Sequence, residues 1–235
     1  MASGRASLPR SPSYNPGMGA VADPTSLSPH LRRLAGLDLV GAAPPVVEVE
    51  EVHECAVVLS RSRSPAVEVH LERCRADGVP VIIRPSGGGA VVLAPGMVAA
   101  SLVAPRVPPG GLPEVFFRRF VTAVGEAIGA SGGPATVLRG VSDLCVGDQK
   151  VAGSSLRLAQ RTVLFQIAIL VDPDLSLLDR YLPMPSRMPA YRRQRPHREF
   201  VTSLARCGSP VAVGQLVAQL RRSLGDAVAA LPGCG

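Results

Sequence analysis

The chain has no tryptophan and, in 235 residues, only five phenylalanines and three tyrosines. That scarcity removes the aromatic platform on which single-stranded nucleic acids stack. The net charge of +7 therefore points to acidic partners or phosphate-bearing small molecules and away from nucleic acid. Long apolar runs are missing too. None approaches the roughly 18 to 20 residues of a membrane span, and the opening MASGRASLPRSPSYNPG has no apolar stretch of the kind a secretory signal needs. Both absences predict a cytoplasmic protein without a membrane partner. The opening carries Arg and Ser and no acidic residue before Asp23, which is also organelle-presequence composition, but an irregular N-terminus explains it more simply. The five cysteines, Cys55, Cys74, Cys145, Cys207 and Cys234, contain no Cys-x-x-Cys pair. This argues against a disulfide scaffold and a zinc site, and no metal ligands can be picked out.

Lysine is the other shortage. Of the 25 lysines and arginines one is lysine, Lys150, in the glycine-bracketed stretch Gly147-Asp-Gln-Lys-Val-Ala-Gly153. Guanidinium is a planar fork, whereas an ammonium is a compact charge that reaches one oxygen in a narrow pocket. A site built round one small cation is the functional reading; a leftover surface lysine is the alternative.

What is present is a core. At 46% hydrophobic residues the chain can bury one, and we read residues 1–30, rich in Pro, Ser and Gly, as a disordered leader, with 31–235 as one domain whose first element begins near Val46. Strands are expected over Val46–Val52, Cys55–Ser60, Val79–Arg84, Gly89–Leu93, Val98–Ala104, Val141–Val146, Lys150–Leu158 and Thr162–Val171. Ser64-Pro65 supplies an N-cap and an N1 proline for a helix over Pro65–Ala76. Further helices are expected over Pro113–Ala130, with Phe116, Phe120, Val124 and Ile128 four apart as a core stripe, over Asp174–Tyr181 and over Val211–Ala230. Adjacent strands interrupted by separate helices argue for an α+β fold with a mixed, mainly antiparallel sheet flanked by helices, not an alternating dinucleotide fold.

The strongest chemical motif is Val81-Ile-Ile-Arg-Pro-Ser-Gly-Gly-Gly-Ala-Val91. Three glycines between two strands let a ligand approach bare backbone, expose N–H donors to an anion and leave room for an apolar chain along the sheet. No Gly-Lys-Ser/Thr follows and no helix opens there, so it is neither a P-loop nor a Rossmann fingerprint.

In order along the chain, RPSGGGAVVLAPG, SDLCVGDQKVAGSSLR, TVLFQIAIL leading into DPDLSLLDRYL, and REFVTSL resemble the catalytic domain of lipoate–protein ligases over roughly residues 46 to 205. The resemblance implies a fold shared with biotin protein ligases and class II aminoacyl-tRNA synthetases. It implies a reaction in which ATP and lipoate (or octanoate) give an acyl adenylate, which a lysine of an acceptor lipoyl domain then attacks, with Mg²⁺ expected on the ATP phosphates. By position it implies Lys150 as the catalytic cation on the acyl carbonyl and phosphate, and Arg84 on the nucleotide. It likewise implies Ser86, Gly87, Gly88, Gly89, Ala90, Val91, Val92, Gly153 and Gln166 in the substrate and ATP groove.

Departures stand beside the matches. Ile83 occupies the position of the first of two family arginines, and Gln166-Ile167-Ala168 replaces His-Gly-Ser/Thr, a change expected to reshape the acyl pocket. The chain ends shortly after one helix beyond the motifs, so no accessory C-terminal domain is expected and a separate subunit becomes a candidate partner. The alternative enzyme is an octanoyltransferase of the same fold, taking its acyl group from acyl carrier protein through a cysteine thioester. Pro183-Met184-Pro185 and Pro134–Ser142 lack the cysteines of such relatives, which leaves Cys145, read as a strand residue. A third reading is a non-catalytic ligase-like subunit. Finally, the Arg-rich segment 191–198 offers Arg192, Arg195 and Arg198 as contacts to an acidic acceptor or a phosphate, or as a plain solvated loop.

Overall fold

Val163, Phe165, Ile167 and Ile169 alternate with Leu164, Gln166, Ala168 and Leu170, and a period of two sends successive side chains to opposite faces of a sheet. The computed structural model describes residues 21–107, 111–208 and 211–232. In it the chain runs through α1 (Pro29–Leu34), β1 (Val46–Glu51), β2 (Ala56–Ser60), α2 (Pro65–Glu68), α3 (Leu71–Ala76), β3 (Val81–Arg84), β4 (Ala90–Leu93) and β5 (Met97–Pro105). Next come α4 (Pro113–Ala130), β6 (Val137–Arg139), β7 (Asp143–Val146), β8 (Gln149–Leu158) and β9 (Thr162–Leu170), then α5 (Ser176–Tyr181), α6 (His197–Phe200) and α7 (Val213–Ala229).

A six-stranded sheet has the order β1-β5-β9-β8-β7-β6, with neighbours antiparallel throughout. A three-stranded sheet, β3-β2-β4, pairs β2 with β3 in parallel and with β4 antiparallel. The fold is α+β, a mixed and mainly antiparallel arrangement flanked by helices. One face of the large sheet carries Val98, Leu102, Phe165 and Ile169 against Phe116 and Phe120 of α4 and Leu220 and Leu224 of α7. The other face turns Met97, Ala99, Ala168 and Leu170 toward Val58, Ile82 and Leu93 of the small sheet. The small sheet's outer face packs Val57, Leu59, Val81 and Val92 on Val69, Cys74 and Tyr181. Each fully buried Phe, Leu or Val contributes about 1.5–3 kcal/mol, so this alternation decides the layer order.

Two expectations need correction. The structure is ordered well before Val46: Val21 bridges Val81, and α1 is a helix capped by Ser28 with Pro29 at its first position. The same Ser-Pro signal that predicts a helix at Ser64 stands at Ser28-Pro29, and Leu31 and Leu34 bury its apolar side. Leader residues 21–30 therefore join the fold, while residues 1–20 lie outside the described residues. The helix expected over Pro65–Ala76 is two helices. Val69 is extended (φ −139°, ψ 136°) so that its side chain reaches the core, and the His70 N–H donates to the Tyr181 carbonyl at 2.8 Å instead of up its own helix. The strand β6 and the helix α6 are additions to the expected elements.

Candidate active site

Between the small sheet and the inner face of the large one lies a cavity of about 660 Å³. Val91, Leu93, Met97, Ala99, Ala168 and Leu170 form apolar walls, and Lys150, Asp143, Arg63, Glu68, Arg84 and Arg192 bring charge to it. Sheet alternation divides the departing residues. The Ile167 side chain belongs to the helix-packed core, although the residue borders the cavity, so of the Gln166-Ile167-Ala168 departure it is Gln166 and Ala168 whose side chains share the cavity face. Ile83 sides with the small sheet's outer face, together with Val81, whereas Arg84 falls on the inner side. Val92 likewise packs with Val57 and Leu59 in the outer cluster, although it borders the cavity.

Arg84 is 7% exposed, and burial pushes its guanidinium down to about 10, still protonated at neutral pH. Its donors are engaged within the protein: Nε on Ser86 Oγ (3.0 Å), Nη1 on the Val58 carbonyl (3.0 Å), Nη2 on the carbonyls of Gly87 (2.7 Å) and Gly89 (2.9 Å). Arg84 thus braces the glycine loop from within, a use of the side chain that the sequence did not suggest. Ser86 and Gly87 lie behind the loop. Ser86 Oγ meets Ser155 Oγ at 2.9 Å and donates to Gln166 Oε1 at 2.6 Å, and the Gly87 N–H donates to the Leu156 carbonyl at 3.1 Å. Gly88 and Gly89 face the cavity. They differ in kind: Gly88 has φ +96° and a Cβ there would sit 3.0 Å from Arg84 Nη2, whereas a Cβ on Gly89 meets nothing within 4 Å.

Gln166 sits in a row across three strands, opposite Ser101 on β5 and Ser155 on β8. Its Nε2 donates to Ser101 Oγ (3.3 Å) and to the Leu34 carbonyl at the end of α1 (3.4 Å). Because a carbonyl can only accept, the amide orientation is determined, and Oε1 is left for Ser86.

Lys150 reaches the cavity through a β-bulge. Leu144 pairs with Ala152 but Cys145 pairs with Lys150, which makes Val151 an extra residue on β8. Val151 and Ala152 both enter the helix-packed core, and the phase shift returns Lys150 to the face that carries Gly153 and Asp143. Lys150 Nζ lies 2.7 Å from Asp143 Oδ1, and Asp143 Oδ2 accepts from Tyr191 Oη at 2.7 Å. Gly153 makes this possible, since a Cβ there would stand 2.6 Å from Lys150 Nζ. Burial, with the Asp143 carboxylate beside it, holds the Tyr191 phenol well above its usual range. Cys145 is fully buried, its thiol pushed up by burial, and it touches Tyr191 Oη at 3.6 Å. It does not line the cavity.

The Arg-rich segment separates into three roles. Arg192 is 5% exposed, lies with its guanidinium 4.7 Å over the Phe200 ring, and lines the cavity. Arg195 is engaged elsewhere, on Asp148 Oδ2 (2.7 Å), the Asp148 carbonyl (3.0 Å) and the Arg192 carbonyl (3.1 Å). Arg198 is exposed and away from the cavity wall. His197 Nε2–H donates to the Pro183 carbonyl at 3.1 Å and Nδ1 accepts from Arg192 Nη2 at 3.4 Å, so the neutral Nε2–H form satisfies both. Sequence reasoning did not single out Asp143, Tyr191, Arg63 or Glu68. Asp143 stands inside the quoted SDLCVGDQK string and Tyr191 opens the Arg-rich segment; nothing local marks Arg63 or Glu68.

Residues 38–225 match the family profile described as the lipoyl protein ligase A/B catalytic domain. The chain belongs to that family. It is an enzyme of the ligase and acyltransferase class. The octanoyltransferase LipM of Symbiobacterium thermophilum is 27% identical over 194 residues, 73% of this chain and 70% of that protein. Further curated relatives, named as lipoate-protein ligases or as an octanoyltransferase, are spanned over less than half of their length. Among solved structures, the bipartite lipoate protein ligase of Thermoplasma acidophilum superimposes with a TM-score of 0.69 at 21% identity, over 83% of this chain and 77% of that one. A lipoate-protein ligase A bound with ATP superimposes with a TM-score of 0.67 at 22% identity, over 83% and 78%. These likenesses establish the lipoate–protein ligase fold. No helix among the described residues is long and apolar enough to cross a membrane.

Proposed function

We propose that this chain is a lipoate–protein ligase. A carboxylate oxygen of lipoate or octanoate attacks the α-phosphorus of ATP and pyrophosphate leaves; the acceptor lysine's amine then attacks the acyl carbonyl and AMP leaves. Both steps build negative charge on the carbonyl oxygen and the phosphate, and one placed ammonium answers both. Lys150 has three N–H donors, of which Asp143 occupies one, so the pair orients the ammonium and leaves donors for substrate. The apolar walls from Val91 to Leu170 suit a medium-length acyl chain. Among the described residues no group of three or more His, Cys, Asp and Glu could hold a metal ion. Mg²⁺ would thus enter on the triphosphate, which commonly supplies its ligands, and no step is assigned to it.

The observation that carries this reading over the transferase one is the cavity's chemistry: cations and carboxylates, with no cysteine among the described lining residues. A thioester mechanism needs an accessible thiolate, and Cys145 is buried with its thiol pushed up. The likeness to an octanoyltransferase favours the second reading and sets the test. Chain with all five cysteines replaced by Ser or Ala, given ATP, Mg²⁺, lipoate or octanoate and a lipoyl domain, is expected to modify the acceptor, read as a mass increment. Transfer from octanoyl carrier protein without ATP, lost in Cys145→Ser, would sink the ligase assignment. The Thermoplasma acidophilum ligase is bipartite, so a separate adenylation partner belongs to the proposal. An arm supplied with preformed lipoyl adenylate distinguishes a missing partner from a missing activity.

A further inference from the structure

A buried cation needs a counter-charge. Taking a guanidinium out of water costs several kcal/mol per ion unless a carboxylate or a full set of hydrogen bonds replaces its hydration. Arg84 has such a set on the Val58, Gly87 and Gly89 carbonyls, and Arg63 has Glu68 at 3.9 Å. Arg192 has neither. It is nineteen-twentieths buried at the cavity wall and pairs with no carboxylate among the described residues. Its Nε–H goes to the Arg195 carbonyl at 2.9 Å, and Nη2 meets two weak acceptors, Met184 Sδ at 3.7 Å and His197 Nδ1 at 3.4 Å. Nη1 has no partner among the described residues. The group is nonetheless held in place: Phe200 lies under it and the Pro183 carbonyl orients His197 beside it. Burial lowers the guanidinium's affinity for its proton, and Asp143, beyond contact distance, offsets this only in part.

We propose that Arg192 is a phosphate-ester subsite of the cavity, its free Nη1 donors, with Nη2 exchanging its weak contact to Met184 Sδ, taking one phosphate oxygen edge in the bidentate manner suited to a guanidinium. The inference uses the proposed function for its location alone. An acyl adenylate and the phosphopantetheine arm of an acyl carrier both bring a phosphate ester, so the subsite stands under either enzyme reading.

Calorimetry on the full chain tests it with three probes: the octyl ester of AMP, octanoyl phosphopantetheine, and octanamide, which has no phosphate. Arg192→Gln is expected to weaken binding of one or both phosphate esters about ten- to a hundredfold, the worth of a charge-assisted hydrogen bond. Octanamide binding stays within about twofold, which a loss of packing would not allow. Which ester suffers identifies the phosphate's source, whereas failure of ATP-dependent ligation with ester binding intact would touch the proposed function and not the subsite. Undiminished binding of both esters, an equal loss with octanamide, or no ester binding by the wild type each overturns the proposal. Should Arg192→Gln not fold, Arg192→Lys keeps the charge but not the fork. A several-fold loss confined to the phosphate esters is then expected, and unchanged affinity overturns it.

Discussion

At the scale of single residues, Gly153 and Lys150 are one device. A methyl group at 153 would collide with the far end of a flexible side chain, not with backbone, so Gly153→Ala is expected to leave the fold intact and displace Lys150 Nζ from Asp143. Its acyl-transfer rate should fall as in Lys150→Ala, on the order of a hundredfold or more, with little change in melting temperature. Near-wild-type turnover in a folded Lys150→Ala chain would remove the lysine from the mechanism. The glycine loop separates in the same way. Gly88→Val is strained by its φ of +96° and by Arg84, so it should lose stability as well as binding. Gly89→Val projects into open space at the cavity and should block ligand while melting near wild type. Calorimetry with lipoate and an ATP analogue, beside a thermal melt, distinguishes them; tight binding by Gly89→Val would make the triple glycine structural.

At the scale of elements, Gln166 ties β9 to the end of α1 and to the glycine loop. Gly36, φ +67°, permits the approach, because a Cβ there would lie 2.6 Å from Gln166 Nε2. Gln166→Met keeps the volume and strips the hydrogen bonds from Ser86, Ser101 and the Leu34 carbonyl. Leaving buried partners unsatisfied costs about 1–3 kcal/mol, and denaturant unfolding should show a loss of this order. If the network also holds the loop for substrate, KM for the acyl acid rises in Gln166→Met; a stability loss with KM unchanged would confine Gln166 to the scaffold. Pattern alone does mark Gln166 as sharing a face with Ala168, but its partners come from β3's loop, β5 and α1, which no local period connects.

At the scale of the whole molecule, His197 joins the Pro183 turn, Arg192 and α6. Burial depresses its pKa, so between the unfolded value near 6.5 and the lower folded one the unfolded chain binds the extra proton. Stability is therefore full above about pH 6.5 and declines as the pH falls below it. The depressed carboxylates, Asp23, Asp77, Asp174 and Glu50, titrate lower, below 3.8 for the aspartates and 4.5 for the glutamate. Melting temperatures at pH 7.5, 6.5 and 5.5 should fall by a few degrees, and His197→Gln should flatten the curve. An equal slope in the variant would assign the pH dependence elsewhere.

Residue order alone is enough for the local facts: the bounds of α4 from Pro113 and the Phe116–Ile128 stripe, the alternation of β5 and β9, the glycine motif and the isolation of Lys150. These rest on periods and on residue types, which neighbours along the chain suffice to express. The rest came from packing at a distance. Taken in simple alternation back from Gly153, Lys150 belongs on the helix-packed face; one extra residue, Val151, turns it to the cavity, and a bulge is visible only once β7 is laid beside β8. Helix 65–76 broke at Val69 because a core and a Tyr181 carbonyl outweighed its own hydrogen bonds. Three arginines of one run went to three fates, Arg192 to the cavity wall over Phe200, Arg195 to Asp148 and Arg198 to solvent, because where each lands is set by packing and not by order in the chain.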